Sequence, residues 1–233
     1  MRIAIISDIH SNLEALTKTL ELIKQKSVDE IVCLGDIVGY GANPNECIEL
    51  VRDNTKHIIL GNHEDAAATL NNINKFNIYA QTAMYWTHRV LKVQNKEFIE
   101  KLPRTLELYG LFFVHSSPYK PEEWNYLISS DEIKQNFKYF STSICFFGHT
   151  HFPGVYNEDG ERAELRKNEK FLINTGSVGQ PRDLNWKLSF GIFDTELWTY
   201  ENIRSEYDVN TASEKILKAG LPKYLADRIL VGR

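Results

Sequence analysis

The chain has 233 residues, of which 42% are hydrophobic and 25% are charged, as is ordinary for a globular protein with enough chain for a large core. Its net charge of −4 gives no electrostatic reason to expect duplex nucleic acid or an anionic membrane surface as a partner. No apolar run approaches the roughly 20 residues of a transmembrane helix, and the run at 3–6 is too short for the core of a signal peptide.

In the first part of the chain, short apolar runs alternate with helical patterns. The run at 3–7 leads to Asn12, which can cap a helix whose apolar positions follow helical spacing. A second apolar run at 31–34 follows this helix directly, and a strand–helix–strand unit of this size implies parallel strands with a right-handed crossover. A short helix at 46–52 and a third strand that ends at Gly61 come next.

The segment 64–102 is mostly helical in pattern, with Tyr79, Ala83, Trp86 and Val90 on one face. We expect this face to pack against the core or within a lid, although its aromatic residues can also line a substrate pocket. His88, and His57 at the start of the third strand, are expected to be structural.

Beyond Pro103 the pattern changes to one that consists mainly of strands, and a hairpin is expected around Tyr109-Gly110. The predicted elements are, in order, strands at 105–108 and 111–115, a helix at 131–140, strands at 144–148, 154–157, 162–166, 170–174 and 188–194, and helices at 213–219 and 222–230. Together they predict an α/β (α+β) fold in which two mixed β-sheets pack face to face with helices outside. We expect a single domain over 1–233, with 205–233 as a C-terminal helical extension.

The three cysteines, Cys33, Cys47 and Cys145, lack the spacing of a metal or redox motif. Cys33 and Cys145 fall within predicted strands, where small buried side chains are expected. An odd number of unpaired cysteines suits a reducing compartment, so we expect a cytoplasmic protein. The sequence does not determine the oligomeric state, and a homo-oligomer is compatible with it.

Five of the predicted strands end in residues that can bind a metal ion or transfer a proton. In open α/β sheets, ligands collect beyond the carboxyl ends of the strands, so these side chains are expected to meet in one cleft. The set contains two Asp, one Asn and five His: Asp8, His10, Asp36, Asn62, His63, His115, His149 and His151.

The side-chain types in this set predict a metal centre. Carboxylate, amide and imidazole ligands together suit Mn²⁺, Fe, Ni²⁺, Co²⁺ or Zn²⁺, and the lack of cysteine argues against a structural zinc. Two ions about 3.5–4 Å apart can hold a hydroxide and grip both the attacking and the leaving oxygen of a phosphoryl displacement. Two sites that share Asp36 account for seven residues and leave one histidine as a proton donor.

The motifs that carry these residues resemble, in kind and in order, those of the calcineurin-like metallophosphoesterases. They are Asp8-Ile9-His10, Gly35-Asp36, Gly61-Asn62-His63-Glu64, His115 and Gly148-His149-Thr150-His151. The resemblance spans residues 3–194. The form of the first motif up to Asn12, the stretch from Asn174 to Arg182 and the segment Gly220-Leu221-Pro222 are similar to the small bacterial and archaeal phosphodiesterase-like branch.

This resemblance implies a four-layer α/β/β/α sandwich and a role for each matching residue. Asp36 would bridge two divalent transition-metal ions, with Mn²⁺ preferred over Fe, Ni²⁺, Co²⁺ or Zn²⁺, and His63 would be the leaving-group acid. The first ion would be held by Asp8, His10 and His151, and the second by Asn62, His115 and His149.

One departure from the family pattern narrows the expected activity. Serine/threonine phosphatases of this superfamily carry Gly-Asp-x-x-Asp-Arg-Gly, whereas the run from Gly35 to Gly41 lacks the second Asp and the Arg. This argues against protein phosphatase and symmetrical dinucleoside-tetraphosphatase activity. Arg182 either supplies a positive charge to the substrate or lies on the surface of a turn, and Asn12 either contacts substrate or caps its helix.

The expected function is hydrolysis of a phosphodiester bond in a small phosphate-ester or nucleotide-like substrate by a hydroxide that bridges the two metal ions. One alternative is a phosphomonoesterase or nucleotide pyrophosphatase of the same fold. Another is a non-catalytic metal-binding scaffold, like the phosphoesterase-like subunit of the retromer coat. Segments 64–102 and 116–130 are expected to shape the pocket.

Overall fold

A computed structural model describes residues 1–233 and contains ten β-strands and eight α-helices. The strands are β1 (Arg2–Ile6), β2 (Glu30–Cys33), β3 (His57–Ile58), β4 (Thr105–Leu108), β5 (Leu111–Val114), β6 (Ile144–Phe147), β7 (Gly154–Tyr156), β8 (Phe171–Asn174), β9 (Leu188–Asp194) and β10 (Thr199–Ser205). The helices are α1 (Leu13–Gln25), α2 (Pro44–Asn54), α3 (Asn62–Thr69), α4 (Ile78–Val90), α5 (Val93–Ile99), α6 (Ser130–Asn136), α7 (Val209–Lys218) and α8 (Lys223–Ile229). Short 3₁₀-helices lie at Ile73–Lys75, Pro121–Glu123 and Phe137–Tyr139.

The strands form two five-stranded sheets, and both sheets are mixed. The first has the order β10-β9-β1-β2-β3, in which β1, β2 and β3 are parallel and β9 is antiparallel to both of its neighbours. The second has the order β4-β5-β6-β8-β7, with a parallel centre of β5, β6 and β8 and antiparallel edges. The predicted pair of mixed sheets is confirmed.

Alternating side chains assign the two faces of each sheet to different layers. In β1, Ile3 and Ile5 join a cluster of 12 buried residues between the sheets, whereas Ala4 and Ile6 face the cluster that includes α1, α2, α4, α7 and α8. In the second sheet, Cys145 and Phe147 of β6 instead pack on the side of α6. Each fully buried Ile or Phe stabilises this arrangement by roughly 1.5–3 kcal/mol. The result is the predicted α/β/β/α sandwich.

One observed strand was not predicted, and one predicted strand does not form. Strand β10 has no signal in the sequence, because this edge strand alternates half-buried residues with exposed ones such as Glu201 and has no apolar run. The predicted strand at 162–166 does not form, and only a single bridge joins Arg162 to Tyr156. Ala163 and Leu165 are half-buried and pack against the cluster between the sheets, and Arg162, Glu164 and Arg166 are exposed, so the segment has the alternation of a strand but not its ladder of hydrogen bonds.

The buried face of α4 also differs from the predicted one. Ala80, Ala83, Met84 and Thr87 are its buried residues, whereas Tyr79 is exposed and stacks on the ring of Tyr224 in α8. The small alanines permit close packing of the helix. Among the residues of the predicted face, only Ala83 is fully buried.

The remaining sequence expectations concern the membrane and the cysteines. None of the helices combines the length and the apolar character needed to cross a lipid bilayer. Cys33, Cys47 and Cys145 are buried and form no disulfide, and burial raises the pKa of each thiol.

Candidate metal centre

The eight predicted residues follow the carboxyl ends of five parallel strands. Asp8 and His10 follow β1, and Asp36 follows β2. The others are Asn62 and His63 at the start of α3, His115 after β5, and His149 and His151 after β6. The two sheets direct these strand ends to one place, and the structure brings all eight side chains together there.

A first group of ligand atoms surrounds the carboxylate of Asp8. Asp8 Oδ1 lies 3.2 Å from His151 Nε2 and 3.9 Å from His10 Nε2. The two Nε2 atoms are 3.1 Å apart. Three ligand atoms at these separations form a compact set that a single cation can contact at once.

A second group surrounds Asp36. Its Oδ2 lies 3.3 Å from His115 Nε2, which is 3.1 Å from Asn62 Oδ1, and the ligand atoms of Asp36, His115 and His149 all lie within 4.8 Å of one another. The same Oδ2 is 3.8 Å from His10 Nε2, an atom of the first group. Asp36 therefore lies between the two groups.

His63 lies against the same carboxylate but also borders the open side of the centre. Its Nε2 is 3.9 Å from Asp36 Oδ2, and its backbone N–H donates to Asp36 Oδ1 at 2.9 Å. The imidazole packs against Tyr40, with ring centroids 4.5 Å apart, and against Phe76, at 5.1 Å. Its position allows either contact with a substrate or participation in a third cluster with His10 and Asp36.

The hydrogen bonds of the histidines show that cations fit this centre. His10, His115 and His151 each place Nδ1 against a main-chain oxygen, at 3.1, 2.8 and 2.5 Å. A carbonyl oxygen only accepts, so each Nδ1 carries a hydrogen, and the Nε2 lone pair of a neutral ring points into the centre. In the first group two such lone pairs then face each other beside Asp8 Oδ1, a repulsive arrangement that a positive ion relieves. Asp8 Oδ1 and His149 Nε2 are buried and have no hydrogen-bond partner in the protein.

Electrostatics in the buried centre separates the histidines into one that favours the charged form, His115, and four that favour the neutral form. Burial lowers the pKa of His149 to about 3 and that of His63 to about 4. Burial alone raises the pKa of Asp36, but the neighbouring His115, His63 and His10 together outweigh it and hold this pKa well below its usual range. For His115, burial opposes the charged form, yet the Asp36 carboxylate raises its pKa to about 9. A positive charge is therefore strongly favoured next to Asp36.

Five of the candidate ligands have a left-handed backbone conformation. The φ angles are 54° for Asp8, 51° for His10, 52° for Asp36, 64° for His149 and 65° for His151. Asp and His enter this region more readily than most residues, but each such residue still costs roughly 1–3 kcal/mol where the backbone is strained. Clustering of this kind is typical of functional sites, where surrounding structure holds the conformation.

Glu64 supports the centre from behind. Its buried carboxylate accepts the backbone N–H groups of Asp36 at 2.6 Å, Val38 at 2.8 Å and Gly61 at 3.0 Å, and thus ties the loop after β2 to the start of α3. Burial, with a further contribution from the charge of Asp36, raises the pKa of Glu64 to about 8. The sequence held a signal for this role, because an acidic third residue in a helix often accepts the N-cap N–H.

Two glycines allow the backbone to approach the ligand carboxylates. A Cβ on Gly61 would collide with Asp36 Oδ1, and one on Gly148 would collide with Ser7 Oγ and Asp8 Oδ2. Ser7 Oγ itself donates to Asp8 Oδ2 at 2.6 Å. A larger residue at either position would displace a ligand.

Asn12 caps α1. Its Oδ1 accepts the N–H of Ala15 at 3.1 Å, and its Nδ2 donates to Gly179 O at 2.8 Å and to Tyr207 Oη at 3.0 Å. These three bonds occupy both ends of the buried amide. The geometry favours the capping role over contact with substrate.

Replacement of Asn12 by Ala is therefore expected to lower the free energy of unfolding by about 2 kcal/mol. The variant loses a helix cap, worth roughly 0.5–2 kcal/mol, and leaves buried partners unpaired. Urea unfolding of the wild type and the variant measures this loss. Unchanged stability together with a raised KM would instead make Asn12 a substrate contact.

Arg182 lies beside the centre rather than on an open turn. It is half-buried, its Nη2 donates to Gln180 Oε1 at 3.0 Å, and its guanidinium carbon is 6.0 Å from the centroid of the Tyr40 ring. The charge of Arg182 also contributes, after burial, to the lowered pKa of His151.

A cleft of about 400 Å³ opens from the centre at Asn62, His63 and His149. Its lining comes largely from segments 64–102 and 116–130 and combines aromatic rings with polar side chains: Tyr40, Asp65, Asn71, Asn72, Lys75, Phe76, Asn77, Glu123, Trp124 and Tyr126. Tyr126 stacks on His149 with ring centroids 4.0 Å apart, and Trp124 lies 6.0 Å from His115. Sequence reasoning assigned no role to Tyr40, Phe76, Trp124 or Tyr126.

The fold and the centre together define a class of protein. The fold is an α/β/β/α sandwich, and buried Asp, Asn and His side chains meet where the parallel strands of its two sheets end. Such a ligand set is typical of metal-dependent hydrolases. The family model of the calcineurin-like phosphoesterase superfamily domain matches residues 1–197, and the chain belongs to this family. The family predicted from the sequence motifs is thereby confirmed.

Individual relatives are bacterial and archaeal, as the predicted branch requires. The chain is 44% identical to the uncharacterized protein MJ0912 of Methanocaldococcus jannaschii over 99% of this chain and 98% of that protein. It is 23% identical to phosphodiesterase YfcE of Escherichia coli K12 over 84% of this chain and 89% of YfcE. A crystal structure of a metallophosphoesterase from Sphaerobacter thermophilus superposes with a TM-score of 0.89 at 36% identity, covering 100% of this chain and 99% of the other.

Proposed function

We propose that this phosphoesterase hydrolyses phosphodiesters with the help of two metal ions. The observation that carries the proposal is the convergence of buried lone pairs around Asp8 and Asp36. His10 Nε2 and His151 Nε2 face each other at 3.1 Å beside Asp8 Oδ1, which has no hydrogen-bond partner in the protein. Such an arrangement is costly unless cations occupy it.

Each metal ion is assigned to one group of ligand atoms. Asp8, His10 and His151 would hold the first ion and Asn62, His115 and His149 the second, with Asp36 shared between them. When bound, the ions supply a hydroxide at neutral pH and neutralise charge on the phosphoryl oxygens. The mixture of carboxylate, amide and imidazole favours Mn²⁺ over Fe, Ni²⁺, Co²⁺ or Zn²⁺ in our proposal.

His63 is proposed as the group that serves the leaving oxygen. His63 lies between Asp36 and the cleft, and a substrate must enter through this cleft. Protonated on both nitrogens, the ring would give one proton to the ester oxygen as the ester bond breaks and return to the neutral form that burial favours. The contact of its backbone N–H with Asp36 Oδ1 fixes the position of the residue.

The cleft supports a nucleotide-like substrate. A volume of about 400 Å³ lies within the range of roughly 300–1,000 Å³ that is usual for small-molecule sites. The rings of Phe76, Trp124 and Tyr126 offer flat apolar surfaces beside asparagine side chains, and aromatic rings bind nucleobases by stacking. The cysteines are buried and form no disulfide, which suits the reducing cytoplasm. Nucleotide-like substrates are available in that compartment.

Trp124→Ala is expected to raise KM for a nucleoside phosphate methyl ester by about tenfold, since stacking of one base contributes roughly 1–3 kcal/mol. KM for a dialkyl phosphate should stay within about twofold, because this substrate has no base to stack. Steady-state kinetics on both substrates provide the test, with Trp124→Phe as the control that keeps a ring. An equal change in KM for both substrates would contradict a base-binding role.

The function itself is tested by elemental analysis of the purified protein combined with a panel of aryl monoesters and diesters in the presence of Mn²⁺. We expect two metal ions per chain and faster hydrolysis of the diesters. Preference for monoesters would favour the phosphomonoesterase alternative. A protein that binds two ions and hydrolyses no ester would favour the scaffold alternative.

A further inference from the structure

Two half-buried arginines share one aromatic ring beside the metal centre. The guanidinium carbons of Arg182 and Arg228 lie 6.0 and 5.8 Å from the centroid of the Tyr40 ring. Neither forms an ion pair with an Asp or Glu side chain, although the surface of the protein has many such pairs. Arg182 Nε is buried without a partner, and the one bond from Arg228 is donated by Nε to the main-chain oxygen of Arg233, the last residue.

This arrangement is unfavourable for the protein alone. Like charges repel, and the half-buried guanidinium of Arg182 loses hydration at Nε that no carboxylate replaces, while Arg228 keeps a single bond to the Arg233 main-chain oxygen. Burial and the nearby charge of Arg182 lower the pKa of Arg228. Two neighbouring guanidinium groups that lack an Asp or Glu partner point to an anion that both of them contact.

The pair lies within one ring of the reacting groups. The Tyr40 ring that both arginines contact is also 4.5 Å from the ring of His63 and 4.7 Å from that of His10, centroid to centroid. Tyr40 also lines the cleft. An anion held by Arg182 and Arg228 would therefore be a neighbour of a phosphoryl group at the metal centre.

We propose that Arg182 and Arg228 form a subsite for a second phosphoryl group of the substrate, adjacent to the one that is hydrolysed. This inference rests on the proposed function for the position of the first phosphoryl group. The guanidinium fork matches the oxygens of a phosphoryl group and can bind two of them at once. Arg228 belongs to α8, beyond the family match at 1–197, so the subsite is an addition that the C-terminal helices make to the family domain.

The test compares two non-hydrolysable probes by calorimetric titration of the metal-loaded protein. Methylenebisphosphonate carries two phosphoryl groups, and methylphosphonate carries one. The wild type is expected to bind the bisphosphonate at least about tenfold more tightly. Arg228→Gln and Arg182→Gln should each weaken bisphosphonate binding by about 10- to 100-fold, as expected for the loss of a charge-assisted contact.

The matched control is Arg52→Gln, since Arg52 also lies over an aromatic ring, that of Phe98 at 4.6 Å, but is exposed and does not share the Tyr40 ring beside the metal centre. Its affinity for both probes should equal that of the wild type. Thermal unfolding of Arg228→Gln should show unchanged or higher stability, because a repulsion is removed; a structural role for Arg228 would lower the stability.

Two results would overturn the subsite. One is bisphosphonate binding that does not change in Arg228→Gln. The other is an equal loss of affinity for both probes, which would place the arginines on the hydrolysed phosphoryl group itself. Failure of the proposed function has a different signature: the wild type would hydrolyse no ester in the panel, whatever its affinity for the two probes.

Discussion

Asp36→Asn is expected to abolish binding of both metal ions and to lower kcat/KM by about 10⁴-fold or more, since charge stabilisation by the ions is worth several kcal/mol. Asp36 Oδ2 is 3.3 Å from His115 Nε2 and 3.8 Å from His10 Nε2, one atom from each ligand group. The substitution removes a buried negative charge and places either an amide NH₂ or a neutral carbonyl oxygen where a cation should bind. Both sites are then weakened at once.

Elemental analysis and ester hydrolysis measured on the same preparation test this expectation. Asp159→Asn is a suitable control, because Asp159 is an exposed residue that pairs only with Lys134 on the surface. The control should retain both metal ions and full activity. An Asp36→Asn protein that still holds two ions per chain would contradict the role of Asp36 as the shared ligand.

The candidate metal residues were predictable from the sequence because each follows a short buried strand. A run of four or five apolar residues marks such a strand, and the first polar residues beyond it lie at the carboxyl edge of the sheet. Asp8 and Asp36 illustrate this, since β1 and β2 are parallel neighbours and their ends lie side by side. The two mixed sheets follow from the same runs together with the change of pattern after residue 103.

The surroundings of the centre were not predictable in this way. Trp124 and Tyr126 stand in an irregular loop and Phe76 directly after a 3₁₀-helix, where no periodicity indicates the direction of a side chain. Arg228 meets Tyr40 only through the packing of α8 in the tertiary fold, and no local signal in the sequence connects the two. The edge strand β10 also has no apolar run, and its mixture of exposed and half-buried polar residues resembles a solvated loop.

His63→Ala should retain both metal ions and lose about 10²–10⁴-fold in kcat, the usual contribution of a general acid. In our proposal, the ions are held by seven other residues, and His63 acts only on the leaving oxygen. An interaction made only in the transition state lowers kcat and kcat/KM equally. The loss should shrink for esters of acidic phenols, whose oxygens leave without a proton, and be largest for alkyl esters.

This dependence on the leaving group separates the two roles that the geometry of His63 allows. His63 forms a possible third ligand cluster with His10 and Asp36, so a ligand role would cause loss of metal and an equal fall in rate for every ester. His88→Ala is the matched control. His88 is half-buried, its Nδ1 lies 2.7 Å from the main-chain oxygen of Ala67, and it belongs to none of the ligand clusters. With two ions per chain and a rate deficit confined to poor leaving groups, His63 is the proton donor. With fewer ions and a uniform deficit, it is a ligand and the division of the eight residues must be redrawn.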